Sequence, residues 1–102
     1  MTHYSIAPQA RDDLQAIWDY IAIENGKPST ANSFLARLCR KFALLATQPL
    51  MGQARDDLRP GLRVFTAGSY VIFYYPQPDG VEVAGVVHGA QDVEAMFRAG
   101  QR

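Results

Sequence analysis

The sequence predicts an α+β domain in the order β-αα-βββ-α, a helical hairpin packed on one face of a small antiparallel sheet. Three observations carry this. Apolar side chains recur at three- and four-residue intervals over residues 10–21 and again over 31–45. Three β-branched and aromatic runs follow at 62–67, 70–76 and 81–88, with turn signals between them. The length, 102 residues, fits one domain over 1–102.

Residues 4–7 read as a short first strand ended by Pro8, which suits the first position of a helix because its missing N–H costs nothing there. Asp12 and Asp13 are expected in that helix's first turn, and Ala10, Leu14, Ile17 and Ile21 form its buried stripe, widened by Trp18 and Ala22. Asn25-Gly26 is a helix stop. After Pro28, Ser29 is the expected N-cap of a second helix with Ala31, Phe34, Leu35, Leu38, Phe42 and Leu45 on its inner face; Pro49 ends it. Residues 49–61 form a connector. Gly68-Ser69 is a two-residue hairpin loop, residues 77–80 form the next turn, and residues 92–98 make a final short helix capped by Asp92. Val71, Phe73 and Tyr75 alternate with Tyr70, Ile72 and Tyr74, so the sheet is apolar on both faces. A second cover is therefore expected, from the C-terminal helix, a partner, or both.

Ten basic and ten acidic residues cancel, yet they are segregated. Residues 27–63 hold seven bases against two acids, while both flanks are net acidic. Neutrality argues against indiscriminate nucleic-acid binding, and the basic middle suggests an acidic partner. The single cysteine, Cys39, makes no internal disulfide, residues 1–8 lack the features of a signal peptide, and the longest apolar run is far short of the ~20 residues of a membrane helix. A cytoplasmic protein is expected. His3, His88 and Cys39 stand on different elements without metal spacing, and no phosphate loop, dinucleotide fingerprint or nucleophile elbow occurs, so neither metal nor cofactor is expected. Asp12-Asp13 and Asp56-Asp57 read as turn and cap residues. His88 with Asp92 has reach for general base chemistry but no nucleophile beside it.

Five segments in register resemble the ParE toxins of the ParE/RelE superfamily: residues 10–21 (ARDDLQAIWDYI), 49–52 (PLMG), 58–63 (LRPGLR), 70–74 (YVIFY) and 87–92 (VHGAQD). The resemblance runs over residues 4–98 and implies the toxin of a type II toxin–antitoxin module. Its usual partner is a ParD-like antitoxin with a ribbon-helix-helix DNA-binding region, through which any sequence-specific DNA contact would run. The characterised target of ParE toxins is DNA gyrase. The RelE-like branch instead cuts mRNA on the ribosome with convergent basic and tyrosine groups. In a rough alignment this chain has Val71, Gln91 and Phe97 where that branch has Arg, Arg and Tyr, with Arg59 and Arg63 the candidates to substitute. Losing such groups commonly costs a factor of ~10² or more each, so the expectation is a non-enzymatic inhibitor. The alternatives are a RelE-like endonuclease and a degenerate, non-toxic antitoxin binder or co-repressor. Gly85 and Gln91 depart from the ParE pattern, which often carries Arg there.

The antitoxin is expected to lay apolar side chains beside the helical hairpin and over the exposed sheet face, with acidic residues meeting Arg37, Arg40, Arg55, Arg59 and Arg63. Tyr74 is a further candidate on the antitoxin- or target-binding surface. Truncating Arg63 to Ala is expected to weaken that binding by ~1–3 kcal/mol.

Overall fold

Two helices lie against one face of a five-stranded mixed sheet in the computed structural model of the chain, which describes residues 2–89. Strand β1 (His3–Ile6) leads into helix α1 (Pro8–Asp19), which continues as one π-helical turn (Tyr20–Glu24). Helix α2 (Pro28–Thr47) follows, then β2 (Gln53–Ala54), β3 (Arg63–Ala67), β4 (Tyr70–Gln77) and β5 (Gly80–His88), in the sheet order β1-β5-β4-β3-β2. The meander is antiparallel as expected, whereas β1 joins β5 in parallel, from His3 opposite Gly80 to Ile6 opposite Val83. The strand β2 falls within the expected connector; two exposed residues carry no periodicity to betray it. The expected helix at 92–98, with Asp92, Gln91 and Phe97, lies outside the described residues.

Local chemistry accounts for both helices, with two corrections. Pro8 and Pro28 each occupy a first turn. Ser29 is thus inside α2, and Lys27 stands at the N-cap without a side-chain capping bond. Asp12 and Asp13 lie beyond the first turn of α1, which holds no acid. Asp13 serves the sheet instead: its Oδ2 accepts the N–H of Val86 at 2.9 Å. The π turn closes through Asn25 N–H to the carbonyl of Tyr20 at 3.1 Å, and Gly26 follows at φ +66°. Trp18 Nε1 donates to Asn32 Oδ1 at 2.9 Å and ties the two helices.

The bond from Asp13 explains itself at a bulge. Tyr74 faces Val83, but Phe73 faces Gly85, so β5 carries one extra residue there. The slip reverses the phase of the strand: Val81 and Val83 face the helices, then Val86 does, while Ala84 and Val87 face away. The helix-side core joins Leu38, Phe42 and Leu45 to Ile72, Tyr74 and Val83. Tyr4 meets Phe42 edge-on at 5.6 Å, and Phe34 meets Tyr70 at 5.2 Å. On the other face Leu62, Phe73 and Val87 are buried with Leu58, Val71 and Tyr75 packed against them. The connector itself thus supplies part of the second cover. Among the described residues no helix is long and apolar enough to cross a membrane.

Candidate functional site

The connector after α2 is fastened by two side chains from the sheet. Tyr74, fully buried on β4, donates its hydroxyl to the Pro49 carbonyl and accepts the Gly52 N–H, both at 2.8 Å. Arg63 on β3 donates Nε to the Gly52 carbonyl and Nη2 to the Leu50 carbonyl, each at 3.0 Å. A Cβ at Gly52 would stand 2.6 Å from both the Tyr74 hydroxyl and the Val64 carbonyl, so only glycine admits this approach. Two expectations change accordingly. Tyr74 is buried in the core and presents no surface, and the guanidinium of Arg63 is spent on backbone carbonyls of its own chain.

Arg55 and Arg59 are likewise drawn into the connector. Arg55 holds Asp57 with two bonds of 3.0 Å, which keeps the Asp57 carboxyl below its ordinary 3.8. Asp56 accepts the Gly61 N–H at 2.8 Å, and Arg59 Nη1 donates to the Leu58 carbonyl at 3.1 Å. The basic segment seen in the sequence therefore divides. Its second half builds a loop whose Leu58 and Leu62 cover the sheet, and its first half, on α2, remains available.

That first half borders a groove of about 210 Å³ between α2 and the β3–β4 turn, lined by Phe34, Arg37, Leu38, Lys41, Ala67 and Gly68. Arg37 and Arg40 are exposed, as is Lys41, and no ion pair among the described residues involves them. The guanidinium of Arg37 sits 5.6 Å from the centre of the Phe34 ring. The result is an apolar floor under a cationic rim. A wider depression of about 620 Å³ runs beside Trp18 between the helices, rimmed by Arg11, Leu14 and Leu35.

The groups considered for chemistry do not converge. Val71 is packed against the cluster on the face opposite the helices, where Gly85 lies opposite Phe73. His88 stacks edge-on to Tyr70 at 5.3 Å, and His3 pairs with Asp79 at 3.1 Å on the surface. Burial first and Cys39 second push the Tyr4 phenol above 10.0, a core contact on the helix side. Among the described residues no three His, Cys, Asp or Glu side chains group as metal ligands. Sequence reasoning missed the bonds from Tyr74 and Arg63 and the role of Gly52; the only signal was the quoted PLMG segment, whose glycine marked a backbone constraint.

A family model described as "ParE toxin of type II toxin-antitoxin system, parDE" matches residues 4–93. A Mycobacterium tuberculosis protein, Toxin ParE1, is 32% identical over 94 residues, covering 91% of this chain and 95% of its own. Toxin ParE1 of Caulobacter vibrioides is 32% identical over 95 residues, covering 93% of this chain and 97% of the relative. A solved structure, "Chromosomal ParDE TA system from P. aeruginosa", aligns with a TM-score of 0.70 at 19% identity, over 86% of this chain and 96% of that one. At that identity the likeness speaks for the fold.

Proposed function

The chain belongs to the ParE toxin family of type II toxin–antitoxin systems, and from that premise we propose that it arrests growth by occupying the surface of a protein target, by resemblance DNA gyrase, and that a ParD-like antitoxin neutralises it. The observation that carries the antitoxin half is the groove beside α2. Its floor suits apolar side chains of an extended or helical tail, and Arg37 and Lys41 suit carboxylates flanking them. A tail that folds on binding offsets its ordering entropy with the apolar area it buries there. The non-enzymatic half is supported by Val71, an uncharged side chain packed into the sheet's second cluster.

The test uses the full chain and a ParD-like antitoxin. Charge reversal in the double variant R37E/K41E is expected to weaken the complex by at least about tenfold, as for loss of two charge-assisted contacts. Unchanged affinity would remove the groove from the interface. Added to a gyrase supercoiling reaction, the purified toxin is expected to inhibit at micromolar excess; full supercoiling together with cleaved transcripts in vivo would transfer the chain to the ribonuclease branch.

A further inference from the structure

The fastened connector turns two large apolar side chains outward. Leu50 is 70% exposed and Met51 37%, and neither belongs to the packed cluster on either sheet face. Leu44, near the end of α2, is 38% exposed, and Arg40 lies one helical turn before it with no ion pair among the described residues. Isolated exposed leucines are ordinary. The difference here is the backbone beneath them. It is pinned by Tyr74 and Arg63, and again by the Met51 N–H on the Gln48 carbonyl at 3.0 Å. All of these bonds use main-chain atoms of residues 48–52, so none depends on which side chains stand at 50 and 51. Folding explains the loop's geometry and leaves its apolar tip unexplained.

We propose that Leu50 and Met51 are a preformed knob that enters an apolar pocket on the toxin's protein target, with Leu44 widening the contact and Arg40 meeting carboxylates at the pocket's rim. Because the loop is already ordered, little conformational entropy is left to lose on docking. Aliphatic side chains at the tip select a protein pocket over a phosphate backbone, which cations alone would bind. The proposal rests on the toxin reading above and assigns the target a surface separate from the groove of Phe34 and Lys41.

The experiment expresses the full chain without antitoxin and measures colony survival. In parallel, antitoxin affinity and the thermal midpoint are measured on purified protein. L50D/M51D, and the milder L50S/M51S, are expected to raise survival by about 100-fold or more, the scale of losing a central apolar anchor. Antitoxin affinity is expected to stay within about threefold and the midpoint unchanged, since these side chains lie outside both core clusters. R40E is expected to raise survival to a lesser degree. Arrest by the double variants equal to wild type would sink the knob alone. Arrest and antitoxin affinity lost together would also sink it, by placing the tip in the antitoxin surface. A wild-type chain that leaves growth untouched fails the toxin reading itself, and the knob with it.

Discussion

Tyr74 shows how much one hydroxyl can organise. It satisfies the Pro49 carbonyl and the Gly52 N–H from within the core, so Tyr74→Phe leaves both without their partner. A loss of ~1–3 kcal/mol in urea unfolding is expected, with antitoxin affinity retained once the variant is folded. Gly52→Ala is expected to be at least as damaging, because neither neighbour of the added methyl is the free end of a flexible chain. Arg63→Ala now belongs to the same group: its cost should appear in stability, and a normal stability with weakened antitoxin binding would contradict the geometry described. Asp57 gives a pH signature. Hydrogen bonding from Arg55 depresses its carboxyl below 3.8 in the folded chain, so what the pair contributes is present above that pH and is lost as the pH falls through the depressed value. The group is exposed and salt screens it, so the readout is its own NMR titration. In Arg55→Ala the midpoint should return toward 3.8.

Among the elements, β5 is the one on which the others depend, and its bulge is held by a side chain from α1. Asp13→Ala should leave the Val86 N–H without that acceptor; faster hydrogen exchange at Val86 and a loss of ~1–2 kcal/mol are expected, with Asp13→Asn closer to wild type because its carbonyl still accepts. Elements of this kind were largely legible in the sequence. Three- and four-residue spacing marked both helices, and β-branched runs marked β3, β4 and β5, because those signals lie within a dozen consecutive residues. The bulge was not legible, since slipping one residue in β5 shows only against β4. Neither was the fastening of residues 49–52, whose partners lie 11 to 25 positions away. The same distance misled the reading of the arginines. Seven bases in one stretch looked like a single patch, and only the fold reveals that Arg55, Arg59 and Arg63 are engaged with their own loop while Arg37 and Arg40 face outward.

At the scale of the molecule, one sheet carries a core on each face, and Ile72 and Phe73 of the same strand belong to opposite cores. The two cores should therefore melt together, as a single calorimetric transition; separate transitions would mean that the connector's cluster is independent. Free cations on α2 predict that antitoxin binding weakens as salt rises from low to physiological ionic strength, and that R37E/K41E flattens this dependence. The parallel pairing of β1 with β5 has a consequence for biosynthesis. The first strand to leave the ribosome has its place beside the last of the described strands, so the nascent protein must hold β1 unpaired until residues 80–88 emerge. Chains stalled before that point lack the central strand altogether, and a poison assembled in this order is harmless until its synthesis is nearly done.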